Sequence, residues 1–172
     1  MNVLDVRRIA TAAAVLVGAA GVAVLGTTGA ASAEATTHSC VVRNPISETA
    51  HFTFYDTGTP GEGPGDRVTF HNEIFDASGV QIGTADGGAL IYTGSDGALY
   101  ERIVAVDTYS DGRVSWTAQV LISSANSGED QTATAVGLTG RYAGKTGARH
   151  FQVVGATEAG EPLFASSLSV CG

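Results

Sequence analysis

GLTGRYAGKTG (Gly137–Gly147), running straight into ARHFQVVG (Ala148–Gly155), decides between two very different folds. Gly144-Lys145-Thr146 reproduces the end of a phosphate-binding loop. Such a loop needs its first glycine five positions before the second, so that successive backbone N–H groups curl around the phosphates. That position is Thr139, and the glycine stands one residue late, at Gly140. The residues that follow alternate like a strand and open no helix whose N-terminus would hold a phosphate. The stretch therefore reads as a glycine-punctuated turn that opens a β-strand, and not as an ATP or GTP site.

The same period-two alternation recurs along the chain, in short runs bounded by Gly, Asp, Asn and Ser. In Glu48–Asp56, Ala50, Phe52 and Phe54 take one face, and Thr49, His51, Thr53 and Tyr55 take the other. Gly58–Gly65 (GTPGEGPG) is a loop by composition, and Arg67–Asp76 is a strand closed by the turn Asp76–Gly79. Val80–Tyr92 is interrupted by Asp86-Gly87-Gly88, which predicts a bulge or sharp bend. Thr93–Gly97 turns the chain into Ala98–Thr108, and Ser110-Asp111-Gly112 makes a hairpin into Arg113–Leu121. Ser123–Asp130 (SSANSGED) reads as a polar loop; Gln131–Leu138, Ala148–Val154 and Pro162–Val170 complete the strands. Hairpin connections at roughly ten-residue spacing predict an all-β fold, a small closed antiparallel eight-stranded β-barrel. Closure removes the exposed sheet edges that such a chain would otherwise have to protect.

Arg7 and Arg8 precede an uncharged apolar run, Ile9–Leu25, and Ala31-Ser32-Ala33 supplies a small-x-small cleavage pattern. Residues 1–33 thus read as a signal peptide and 34–172 as a single barrel domain, secreted to the extracellular side. The balance of 9 Lys and Arg against 17 Asp and Glu gives a formal charge of −8. Such a surface repels phosphate backbones, which argues against nucleic acid as a partner. No basic amphipathic segment suggests stable membrane association once the signal is removed. Cys40 and Cys171 are the only cysteines, and in an exported chain an even pair reads as a disulfide. Closing so long a loop adds about 4–5 kcal/mol in the chain-entropy model.

Other chemistries lack their residues. His38, His51, His71 and His150 are scattered, with no ligand spacing that outlines a metal site. No Gly-x-Ser-x-Gly elbow exists for a serine nucleophile. Asp56, Asp66, Glu73 and Asp76 invite a glycosidase reading, but Asp66 and Asp76 stand at strand ends where turn chemistry explains them. Trp116, on an alternating strand, suits a core or dimer interface as well as a binding surface.

GDRVTFHNEIFDASGVQIGTADGGALIY (Gly65–Tyr92) resembles the allene oxide cyclase barrel superfamily, and GLTGRYAGKTG is similar to the turn of that group and of dirigent proteins. FDASGVQIGT, the SDG hairpin and the TGRYxGxTGxR junction resemble bacterial spirotetronate cyclases. The likeness covers nearly all of Glu48–Gly155 and specifies fold better than substrate. It implies a barrel, usually dimeric, with an apolar lumen open at one end under a mobile loop. It also implies a cofactor-free cyclase for a hydrophobic polyketide-like chain. In that chemistry a diene and an exocyclic methylene meet in an intramolecular four-plus-two cycloaddition, accelerated by near-attack geometry. Two further readings keep the barrel without the chemistry: a lipocalin-like carrier of an apolar small molecule, and a dirigent-like orienting protein.

Residue by residue, the resemblance puts Arg149 at an arginine, and Glu48 at a glutamate, that pair at the lumen mouth, and so makes Glu48 and Arg149 the expected catalytic residues. Phe151 stands where those cyclases have tryptophan. Strand alternation puts Arg149, Phe151 and Val153 on one face, and Glu48 on a face with Phe52 and Phe54. Tyr100 and Trp116 complete the expected substrate-binding set. Burial demands the Glu48–Arg149 pair in any case, because an unpaired inward charge costs several kcal/mol. The chain departs from plant allene oxide cyclases, whose functional glutamate and asparagine align with His51 and Thr53 and whose cysteine becomes Ala89. The two alignments point opposite faces of the first strand inward; the phenylalanines favour the Glu48 face. Secretion is also a departure, since a polyketide cyclase normally works in the cytoplasm.

Overall fold

A computed structural model describes residues 39–58 and 60–172; the signal-peptide reading of residues 1–33 and the expectation on His38 lie outside them. Eight antiparallel strands close into a barrel in sequence order. They are β1 (Cys40–Tyr55), β2 (Arg67–Phe75), β3 (Gln81–Thr93), β4 (Leu99–Tyr109), β5 (Gly112–Leu121), β6 (Gln131–Gly140), β7 (Thr146–Ala156) and β8 (Pro162–Cys171). One short helix, α1 (Ile122–Asn126), follows β5. Closure is made by β8 on β1, with Cys40 opposite Cys171 in the register and bonded to it. No helix among the described residues is long and apolar enough to cross a membrane.

Three elements differ from the sequence reading. The first strand starts at Cys40 and not at Glu48, running through Asn44-Pro45 at a β-bulge between Arg43 and Ile46. Proline lacks the ladder donor, so a bulge is where a strand tolerates it. The bulge shifts the parity: Val41 is buried before it, and Ile46, Glu48 and Ala50 after it.

In β3 no bulge occurs at Asp86–Gly88; pairing with β4 runs unbroken from Gly83 to Thr93. Gly87 is there for space, because a side chain would collide with Ala105 and with the ring of its cross-strand partner Phe70. The register shift falls between Ile74 and Phe75 instead. The polar segment after β5 opens as α1, whose Ile122 is buried against the barrel.

One end of the barrel is closed by Ile46, Ile74, Val114, Tyr142, Leu168 and Val170, all buried. The glycine-rich turn between β6 and β7 makes this closure possible. A side chain at Gly137 would run into the Tyr142 backbone, and Gly140, at φ +62°, lies against Asp111. Tyr142 folds inward there, accepting from Arg43 Nε at 2.5 Å and donating to Asp111 at 3.1 Å. The Arg43 guanidinium lies 4.2 Å from the centre of the Tyr109 ring. At the other end, buried Asp66 accepts from the Thr57 and Gly63 backbone N–H groups at 2.9 and 2.7 Å. Those bonds, Thr57 foremost, hold its carboxyl below the usual range and mark it as a loop-fixing residue.

Candidate functional site

Strand alternation aims one residue in two at the barrel axis. Toward the end opposite the Tyr142 closure, these residues enclose a cavity of about 450 Å³. Five aromatic rings form a closed circuit around it. Phe52 meets Phe70 at 6.1 Å between centres, Phe70 meets Trp116 at 6.2 Å, and Trp116 meets Phe151 at 5.6 Å. Phe151 then meets Phe164 at 6.4 Å, and Phe164 returns to Phe52 at 6.4 Å. Such offset and edge-on contacts are the favoured aromatic geometries.

Below the rings lies a polar floor. Arg149 donates from Nη2 to Glu48 at 2.5 Å and from Nε to Asp107 at 3.0 Å, and its side chain is 1% exposed. The second Glu48 oxygen accepts from Asn72 Nδ2 at 2.9 Å. Asp107 also accepts from Trp116 Nε1 at 2.7 Å and from the Tyr109 hydroxyl at 3.1 Å. The guanidinium lies 4.5 Å from the Trp116 ring centre, adding a cation–π contact. Burial works against the Arg149 charge, yet Glu48 and Asp107 outweigh it and hold its pKa above the ordinary value. Burial pushes the Asp107 carboxyl up, with Arg149 opposing. Burial, then Asp107, pushes the Tyr109 hydroxyl up as well. The network ties five strands together (β1, β2, β4, β5 and β7) and fixes the Trp116 ring. Its one loose end toward the cavity is Asn72 Oδ1, buried without a partner among the described residues.

The rim is different. Glu101 from β4 and Glu62 from the loop before β2 line the cavity with Val68, Val120, Ala125 and Val153. Burial raises the Glu101 carboxyl above its ordinary range, and Glu62 adds to the shift.

Of the residues singled out in the sequence, Glu48, Phe52, Phe54, Trp116, Arg149, Phe151 and Val153 meet around this cavity. Two placements are corrected. Tyr100 points outward, because β4 sends Glu101 and Ile103 inward; it donates to Asp96 at 2.9 Å and stacks on Tyr92. The Glu48–Arg149 pair sits on the floor and not at the mouth, since β1 begins eight residues before Glu48 and carries it to mid-strand. His51 lies on the outer face, hydrogen-bonded to Glu161 at 2.7 Å.

Sequence reasoning missed Asp107, Asn72, Phe70, Phe164 and Glu101. A signal existed for Asp107: in RIVAVDTY it shares a face with Ile103, Ala105 and Tyr109, a lone acid on an apolar face. A larger depression of about 740 Å³ lies on the outer wall around Leu90, Arg102, Val104, Gln119 and Thr134. It offers one guanidinium and no carboxylate or imidazole, so the chemistry points to the lumen.

The sequence profile of the allene oxide cyclase barrel like domain matches residues 47–162. This chain belongs to that family. Among solved structures, the barrel is similar to a nonspecific haem-binding cyclase that catalyses four-plus-two cycloaddition in neoabyssomicin biosynthesis. That likeness has 27% identity, a TM-score of 0.70, and coverage of 78% of this chain and 68% of the other. The Diels–Alderase AbmU from Streptomyces koyangensis also matches at 27% identity and a TM-score of 0.68, over 76% of this chain. This family member spans only 63% of that second chain. AbnU, an exo-specific intermolecular Diels–Alderase, shares the fold at 23% identity and a TM-score of 0.68, over 79% of this chain and 99% of its own. No curated protein matches the sequence.

Proposed function

We propose that the barrel is a cyclase that folds a hydrophobic, polyketide-like chain within its lumen and brings two unsaturated segments together for cycloaddition. The observation that carries this reading is the closed circuit Phe52–Phe70–Trp116–Phe151–Phe164 around a cavity of about 450 Å³. That volume and that apolar lining suit a folded small molecule. The likeness to cyclases at 27% identity supplies the reaction class.

In such a reaction a diene and an alkene exchange π bonds for two new C–C σ bonds, and no proton or electron leaves the substrate. The protein's task is then to hold the two partners about 3–3.5 Å apart with their orbitals aligned, which replaces a large entropic cost. Flat aromatic walls restrict a polyene to folded shapes while excluding water. The floor has a supporting role. Glu48 and Asp107 clamp Arg149, Asp107 also holds Trp116 Nε1, and the ring wall is thereby rigid. Arg149 and Glu48 are positioning residues in this scheme and exchange no proton with the substrate.

The test uses a synthetic chain carrying a conjugated diene and an exocyclic-methylene dienophile. Loss of diene absorbance and the stereochemistry of the product are followed with and without protein. Acceleration with one dominant stereoisomer, weakened at least about tenfold in Phe70→Ala or Phe151→Ala, supports the cyclase. Saturable binding with an unchanged rate and product ratio would make the barrel a carrier.

A further inference from the structure

The charges that line the lumen are unbalanced, and the imbalance says something about the ligand. Three carboxyl side chains, Glu48, Glu62 and Glu101, border the cavity beside a single guanidinium, Arg149. That guanidinium is spent, because it already serves Glu48 and, behind the lining, Asp107. Among the described residues Glu62 and Glu101 make no hydrogen bond or ion pair; Glu101 lines the cavity two residues from Ile103 on the inward face of β4. The Asn72 amide is held by Glu48 through its nitrogen, so its oxygen, buried and unpartnered, can only accept. Open acceptors, surplus negative charge and π faces with their negative quadrupole all favour the same kind of visitor.

We propose that the lumen selects a lipophilic amine: an apolar chain or ring whose protonated nitrogen sits at Glu101 above the aromatic circuit. This deepens the reading of the lumen as the ligand site and rests on it. A carboxylate-bearing chain of the same size meets uncompensated negative charge at the rim and has no free cation to reach. An alcohol takes an intermediate place, able to donate to Glu101 or to Asn72 Oδ1 without the ionic attraction. The formal charge of −8 on the whole chain acts in the same direction during approach.

Trp116 is the only tryptophan in the chain and belongs to the circuit, so its fluorescence reports occupancy of the lumen. The full chain is titrated at neutral pH and low salt with decylamine, decanol and decanoate, each below its micellar concentration. Decylamine should bind at least about tenfold more tightly than decanoate, with decanol between them. Glu101→Gln should bring decylamine down to the affinity of decanol while leaving decanol within about twofold, which also shows that the lumen is intact. Asp130→Asn, an outer-face carboxylate partnered by His150, should leave all three affinities in place.

The outcomes separate. If decanol binds but decylamine does no better than decanoate, the amine proposal is wrong and the lumen remains a ligand site. If the amine preference survives in Glu101→Gln, or is lost in Asp130→Asn, Glu101 is not its source and the proposal falls. If none of the three alters Trp116 emission, the lumen reading fails and takes the proposal with it.

Discussion

The two ends of this barrel treat charge in opposite ways. At the closed end and floor the two inward-placed guanidiniums are paired: Arg149 has Glu48 and Asp107, and Arg43 has Asp111 and Tyr142. At the open end Glu62 and Glu101 have no partner among the described residues, and Phe52 and Phe54 are 47% and 46% exposed although they face the lumen. Satisfied groups contribute to folding and have little left to offer a ligand. Unsatisfied ones cost stability in the empty protein and become useful when something arrives. The floor thus belongs mainly to the folding problem and the rim to the binding problem, with the aromatic circuit as the boundary.

Substitutions on either side can break that division. The largest effect should come from Arg149→Met, which leaves Glu48 and Asp107 buried without their cation. Urea denaturation should show a loss of about 3–5 kcal/mol, much of it restored in the Glu48→Gln, Arg149→Met pair. A single variant as stable as the parent would mean that the floor is not structural.

Cys171→Ser removes the staple at the closed end. It should cost about 2–4 kcal/mol while the circular dichroism stays that of a barrel. Intact-mass measurement of the unreduced parent should show no free thiol.

Phe54→Ala lies across the boundary. It should shift stability by less than about 1 kcal/mol, in keeping with its exposure, and weaken decanol binding several-fold. A stability loss larger than the binding loss would erase the distinction between rim and floor.

The smallest effect concerns Glu101 and pH. Burial in the lumen, with Glu62 adding, raises the folded-state pKa of this carboxyl above its unfolded value. The folded chain therefore holds that proton more tightly. The resulting stabilisation is complete below the ordinary carboxylate range and is lost as pH rises through the raised value. Glu101→Gln keeps a neutral group throughout, so its Tm should exceed the parent's by about 1–3 °C at neutral pH and converge on it in acid. A lower Tm at neutral pH would give Glu101 an unrecognised partner.

Parity was readable from the chain, and depth was not. Alternation in Glu48–Asp56 and Ala148–Val154 puts Glu48, Phe52, Phe54, Arg149 and Phe151 on faces that do meet in the lumen. The height of a residue along the axis depends on where its strand begins. The sequence reading opens the first strand at Glu48, whereas β1 runs on from Cys40 through a bulge at Asn44-Pro45, and the Glu48–Arg149 pair drops from the mouth to the floor. Asp86-Gly87-Gly88 misled for a related reason. Local composition suggests a bend, but Gly87 answers to Phe70 on the neighbouring strand, a contact that no local pattern contains. Tyr100 has the parity opposite to Ile103 on β4, and Glu101 beside it is the residue that faces inward. The polar network resisted reading because Asp107 and Arg149 are 42 residues apart and Glu48 and Arg149 are 101 apart. Only closure of the sheet brings them together.

The bond between Cys40 and Cys171, 131 positions apart, joins the first residue of β1 to the last of β8. In covalent terms the strands from β1 to β8 form a macrocycle. A single cleavage in any of its connecting loops, such as the glycine-rich segment before β2, would open the ring without releasing a fragment. Wherever proteases reach it, a barrel built as a ring stays one molecule after its first cut.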